Sequence, residues 1–155
     1  MYSLVKPVFD YNVRLLCTEP YYNHPKGCPN FNKRPLCPPL RRRFEDLIDL
    51  NKSMYAIWII FPFGEHREKM LRLHPEWSKR QAECCLYWQG TARKRLKHEI
   101  YRFSAEKYKN TGVITCPEAT GINVTATMKS LGVELEWPPK DFTCHVAIAG
   151  MLKII

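Results

Sequence analysis

The run Tyr55–Phe61, YAIWIIF, is apolar at every position and rich in β-branched and aromatic side chains, so it reads as a strand buried on both faces and as the centre of a sheet. Other stretches carry helical periods. Gly64–Leu73 predicts a short helix that ends near His74-Pro75. From Ser78 onward, Ala82, Cys85, Leu86, Ala92, Leu96, Ile100 and Phe103 recur at steps near three and four, which predicts an amphipathic helix as far as Tyr108, with Gly90 as a break. The spacing of Phe44, Leu47 and Ile48 predicts another helix within residues 44–50, and Asn12–Leu16 reads as a short strand that delivers Cys17.

Toward the C-terminus, Val113–Thr115 predicts a strand that ends on Cys116-Pro117. Asn123 is a candidate N-cap, Val124, Met128 and Leu131 share one helical face, and Gly132 is a good stop. Phe142–Ile155 reads as a last strand, with Gly150 as a bulge or turn. Alternation of this kind predicts an α/β fold: one domain over residues 1–155, with a small mixed sheet, flanking helices in two or three layers, and a proline-rich cysteine loop near the N-terminus.

Composition agrees with one globular core. The chain has 155 residues, 45% of them apolar and 25% charged, which argues against disorder. The longest apolar run, residues 55–63, contains Pro62 and falls far short of the roughly 20 residues of a spanning helix. Residues 1–7 show neither a basic leader nor a cleavage site. The expectation is a cytoplasmic protein with no membrane partner. In that reducing compartment seven cysteines favour metal binding or chemistry over disulfides, and an odd number cannot all pair within one chain. The formal charge of +9 implies an anionic partner without naming it.

The stretch 15–39, LLCTEPYYNHPKGCPNFNKRPLCPP, holds Cys17, Cys28 and Cys37, with ten and eight residues between them. Structural zinc sites use a knuckle of cysteines two to four residues apart, so zinc is the lesser alternative. A 4Fe-4S cluster fits better, because its ligands can come from separated loops. Cys28-Pro29, Cys37-Pro38 and Cys116-Pro117 are Cys-Pro dipeptides, as at the end of the bacterial ferredoxin ligand run, and proline stiffens a ligand loop. Cys116 is therefore a fourth candidate ligand or a catalytic thiol. The bland alternative is that Cys17 and Cys116 are small buried residues at strand ends and that the prolines only shape a surface loop.

Around these thiols, Glu118 is a candidate proton donor beside the metal, against a plain helix-start role. Arg41, Arg42 and Arg43 follow the loop and would gather an anionic substrate. The segment 87–109 has seven Lys or Arg against two Glu. On a helix Arg93 and Lys97 fall near Tyr101, a face that can follow phosphates while aromatics stack on bases; the alternative is a solvated helix surface. Cys84 and Cys85 would point about 100° apart on a helix, with Cys85 in the core beside Ala82 and Leu86. Cys144 is expected to be buried in its strand, with His145 on the opposite side. His24 reads as an exposed loop residue, and His66, His74 and His98 have basic neighbours and no evident partner. Radical SAM, dinucleotide, phosphate-loop and His-Glu-x-x-His signatures are absent.

VRLLC followed by GCPNFNKRPLCPP resembles the N-terminal signature of an uncharacterised family of predicted metal-binding proteins, in which a cysteine precedes a Cys-Pro-Asn-Tyr-Gly-Lys type segment closing on Cys-Pro-Pro. CPEATGINVTATMKSLGVELEWPP, 116–139, resembles that family's C-terminal segment. The resemblance implies a metal or iron-sulfur protein with Cys17, Cys28 and Cys37 as matching cysteines and Cys116 heading the second segment. Phe31-Asn32 stands where an aromatic-glycine pair is usual. The ferredoxin-like cysteine run of longer relatives is missing, so a second cluster is not expected. The combined expectation is a 4Fe-4S enzyme acting on a nucleotide, RNA base or other anionic substrate, with sulfur transfer as one reaction. The alternatives are a non-catalytic, metal-stapled module that binds nucleic acid or an acidic protein, and a small electron carrier. Three protein ligands would leave one iron open to substrate, and four would saturate the cluster.

Overall fold

Met54–Phe61 forms the expected central strand, β2, of a four-stranded sheet with β1 (Tyr2–Leu4), β3 (Thr111–Ile114) and β4 (Thr143–Met151). The computed structural model describes residues 1–21, 24–107 and 110–154. The expected helix end at Tyr108, Lys109 of the basic segment and Ile155 of the last run lie outside them. The sheet order is β1-β2-β4-β3 and every neighbouring pair is antiparallel, where a mixed sheet was expected. β2 and β3 do run in the same direction. The parallel pairing they could make is pre-empted because β4 inserts between them.

The side-chain period of two sends alternate residues of β2 and β4 to opposite faces. Ala56, Trp58, Val146 and Ile148 meet Val5, Phe44, Ile48, Ile122, Val124 and Met128 on one face. Ile57, Ile59, Phe61, Ala147 and Ala149 meet Ala92, Leu96 and Phe103 on the other. The helices divide accordingly. α1 (Phe44–Leu47) and α5 (Val124–Lys129) cover the first face, and α4 (Gln89–Lys107) covers the second, giving a three-layer α/β domain. α5 carries the expected cap, Asn123, whose side chain accepts from the Ala126 N–H at 3.0 Å.

β4 runs straight through Gly150, which pairs with Met54 and Gly112, so this glycine makes neither a bulge nor a turn. It makes room instead: a Cβ there would lie 2.5 Å from Cγ2 of the fully buried Ile48. Two further expectations are corrected. Tyr11–Thr18 is a 3₁₀ helix, not a strand, because Asp10 caps it by accepting from the Asn12 N–H at 3.0 Å. The helix expected from Ser78 breaks between α3 (Lys79–Ala82) and α4, with a 3₁₀ turn at Cys85–Tyr87, and Gly90 lies inside α4.

Trp88 accounts for that break. Its Nε1 donates to the Glu83 carbonyl at 3.0 Å and its ring stacks on Phe61 at 5.5 Å and meets Phe63 edge-on at 5.2 Å. Anchoring the indole there turns the preceding residues outward, so Leu86 is 83% exposed and Cys85 is at the surface, not in the core. α2 (Phe63–Leu73) matches its expected range to one residue. No helix among the described residues is long and apolar enough to cross a membrane.

Candidate metal centre

Two backbone seams bring the distant cysteines together. The first joins residues 8–11 to residues 121–127. Asn123 N–H donates to the Val8 carbonyl at 2.8 Å, Asp10 N–H to the Gly121 carbonyl at 2.9 Å, and Val8 N–H to Thr127 Oγ1 at 2.9 Å. Gly121 has φ +98°, and a Cβ on it would lie 2.6 Å from the Tyr11 ring. That close approach seats the helix carrying Cys17 against the short 3₁₀ turn Pro117–Thr120, which follows Cys116.

The second seam closes the cysteine loop. Gly27 has φ +80°, and its absent Cβ would sit 2.6 Å from the Cys17 carbonyl oxygen. The next residue, Cys28, donates its N–H to that same oxygen at 2.7 Å. Further on, Asn32 N–H donates to Pro38 C=O at 2.7 Å, Cys37 N–H to Arg34 C=O at 2.9 Å and Arg41 N–H to Cys37 C=O at 3.0 Å. Arg14 ties the loop's end to the Cys17 helix, its Nη2 donating to Arg41 C=O at 2.6 Å and Pro39 C=O at 3.2 Å. Asn32 has φ 57°, a left-handed conformation that asparagine tolerates and that glycine adopts freely. The position where glycine is usual in the resembled signature thus keeps glycine-like geometry.

The electrostatics report the convergence. The Cys17 thiol has its pKa raised by burial first, then by the neighbouring Cys28, Cys37 and Glu118. Cys116 is pushed up to about 11, by burial first and then by Glu118, with Cys37 and Cys17 adding and a backbone hydrogen bond from Ala119 opposing. Glu118 is itself raised by burial, against hydrogen bonds from its own backbone and from Cys116, whose Sγ lies 3.9 Å from Oε2. Both residues keep accessible surface while crowded by protein, as groups in a recess open to water do, so their desolvation is incomplete. The raised pKa values of Cys17 and Cys116 favour their protonated thiols while no cation is near. A coordinated metal reverses this, displacing the protons.

Sequence reasoning missed Tyr21 and Arg14. The Tyr21 hydroxyl is raised by burial, then by the charge of Cys28 and a hydrogen bond to it, with Cys17 and Cys85 adding. Tyr21 also stacks on His24 at 4.5 Å, so that histidine has an aromatic partner. No pattern in the sequence marks either residue. Gly27, directly before Cys28, was a readable signal of a tight approach.

Among the described residues, Arg41 is the one basic candidate bonded to a candidate ligand, through its backbone. Arg42 Nη2 donates to Asp46 C=O at 3.2 Å, and the Arg43 guanidinium lies 4.5 Å over the Tyr11 ring. Arg41 is joined to the loop through its backbone. On α4, Arg93 is exposed and close enough to His145 to help lower its pKa, after burial, and Lys97 lies 5.6 Å over the Tyr101 ring. Cys144 is half-buried beside the core, and burial pushes its thiol up to about 11. Two histidines expected without partners have them: His66 is hydrogen-bonded to the Ala82 backbone, and His74 stacks on Trp77 at 3.9 Å.

Among the described residues no three His, Cys, Asp or Glu side chains are arranged to hold one metal ion. Cys17 lies within electrostatic reach of Cys28 and Cys37, and Cys116 of Cys37 and Cys17. The all-sulfur donor set fits iron-sulfur chemistry. No family model, curated protein or solved structure matches the chain.

Proposed function

We propose that the protein is a cytoplasmic 4Fe-4S protein and an enzyme acting on an anionic substrate such as a nucleotide or RNA base. The observation that carries this reading is the approach of Cys116 to Cys17 and Cys37, with Cys28 beside Cys17, from segments far apart in the chain. The likeness of residues 15–39 and 116–139 to the predicted metal-binding family supports it. When bound, such a cluster supplies electron transfer or an electrophilic iron.

Cys17, Cys28 and Cys37 would hold it, with Cys116 as fourth ligand. Cys116 would serve as that ligand once a metal displaced its proton, its pKa of about 11 leaving little free thiolate at neutral pH without one. Glu118, its pKa raised by burial, would be the proton donor beside the centre. Arg41, one turn after Cys37, would face an incoming anion, and Arg42 and Arg43 would widen the positive field around it; Arg93 and Lys97, on α4 against the other face of the sheet, are left to the helix surface. Sulfur transfer to a base is the reaction class to assay first.

Anaerobic purification with iron and sulfide analysis tests the reading. About four irons and four sulfides per chain are expected, lost in Cys17→Ser and Cys28→Ser. Zinc without sulfide would overturn it.

A further inference from the structure

Three aromatic rings pile up at the surface where α2 ends. The chain leaving α2 closes a turn in which the Trp77 N–H donates to the His74 carbonyl at 2.9 Å, and Ser78 starts α3 at once through a reciprocal cap with Gln81. That turn lays the His74 imidazole flat on the Trp77 indole, with centroids 3.9 Å apart and planes 11° from parallel. Tyr87 arrives from beyond α3, its N–H donating to the Cys84 carbonyl at 3.1 Å. The next residue, Trp88, is anchored on Phe61 and Phe63, which leaves Tyr87 on the outside against Trp77 at a centroid distance of 5.0 Å. Backbone bonds and a capped helix thus set the pile before any ligand arrives.

The pile is not core. Tyr87 is 49% exposed, and Leu73 and Leu86, its neighbours along the chain, are exposed as well. Cations flank it. Arg72, two residues before His74, and Arg80, three after Trp77, are exposed and make no ion pair among the described residues. The partly buried Glu83 already holds Arg67 at 3.2 Å and Lys79 at 3.9 Å, and Glu76 lies 3.8 Å from His74 Nδ1.

We infer that this ring pile is a platform for single-stranded RNA, on which one base stacks against Tyr87 in continuation of the rings while Arg72 and Arg80 meet phosphates of the flanking nucleotides. An aromatic face accepts any base, and cations beside it hold the backbone. An acidic peptide would satisfy the arginines but make no use of the exposed ring face. The inference rests on the reading above that the substrate is a nucleotide or RNA base, and it gives that substrate a mooring. Cys85, two residues before Tyr87, lies within electrostatic reach of Tyr21, whose hydroxyl is hydrogen-bonded to Cys28. A strand held at Tyr87 therefore borders the thiol constellation.

The test uses the full chain and fluorescent oligouridine about eight nucleotides long. Saturable binding is expected by anisotropy, weakened roughly tenfold or more in Tyr87→Ala and kept in Tyr87→Phe, which retains the ring. Arg80→Glu should weaken binding at low salt and lessen its salt dependence. Ultraviolet cross-linking of the unaltered protein should map to the peptide that holds Tyr87, an observation that no variant's folding can affect. No saturable binding, equal binding by Tyr87→Ala, or a cross-link confined to other peptides would overturn the proposal. So would uridine monophosphate competing as well as the strand does, which marks a site for a free nucleotide. Iron and sulfide measured on the same samples keep the two readings apart. Tyr87-dependent binding by a chain without iron supports the platform and removes the cluster, whereas a full complement of iron without binding removes the platform alone.

Discussion

The N–H of Cys28 donates to the carbonyl of Cys17 at 2.7 Å, so two candidate ligands are clamped through their backbones before either side chain is engaged. Gly27 makes that clamp possible. Gly27→Ala combines an unfavourable φ of +80° with a Cβ placed 2.6 Å from a backbone oxygen. A loss of about 1–3 kcal/mol is expected for the strain, read as a lower urea midpoint, together with reduced iron content after anaerobic purification. An unchanged midpoint and full iron would mean the loop closes without this contact.

Arg14 fastens the far end of the same loop to the helix that carries Cys17. Arg14→Met keeps most of the side chain's bulk and removes the donors to Arg41 and Pro39, hydrogen bonds from a charged group worth about 1.5–3 kcal/mol in total or less where water replaces them. The loop should then open locally more often than the sheet. Limited trypsin digestion should cut faster at Lys33 and Arg41 in the variant, while cleavage within α4 stays at the wild-type rate.

The reactivity of Cys116 is set by its protonation. With the pKa near 11, its thiolate fraction at neutral pH is roughly two to three orders of magnitude below that of an ordinary thiol. In metal-free protein, iodoacetamide should label Cys116 more slowly than Cys85 at pH 7.5 although both are exposed, and the Cys116 rate should climb until about pH 11. Peptide mapping by mass spectrometry separates the two. Equal rates at neutral pH would place Cys116 outside the crowded recess.

Cys144 gives the stability an alkaline limb. Burial raises its pKa in the folded protein from 9.0 to about 11, so the unfolded chain loses this proton first as pH rises. The associated stabilisation is complete below about pH 9 and is lost progressively toward about pH 11. Cys144→Ala removes this contribution, and the slope of unfolding free energy against pH should flatten in that window. A slope identical to wild type would assign the alkaline limb to other groups.

The central strand, the C-terminal strand, α2 and the capped α5 were legible because each carries a strong local signal: continuous β-branched residues, a proline stop, or an Asn cap followed by a spaced apolar face. β1 was not, since Tyr2–Leu4 is too short to show a period and forms only because β2 offers it an edge. Tyr11–Thr18 failed for a related reason. Its apolar run suits a strand, yet Asp10 and the contact of Tyr11 with Gly121 decide the conformation. Trp88 likewise overrode the helical period near Cys85 through the rings of Phe61 and Phe63, far away in sequence. In the candidate site Cys28, Cys37 and Cys116 stood out in the sequence by the prolines that follow them. Tyr21 and Arg14 could not, because a tyrosine hydroxyl on a thiol and an arginine on two carbonyls are products of the assembled loop.

β3 owes its place to β4, the last strand of the chain, and Cys116 follows directly from β3. Cys17, Cys28 and Cys37 are thus held by contacts within residues 14–41, while Cys116 takes its place only once residues 143–151, further along the chain, have joined the sheet. A chain that lacks β4 should therefore keep the loop's internal bonds and lose the seat of the fourth thiol.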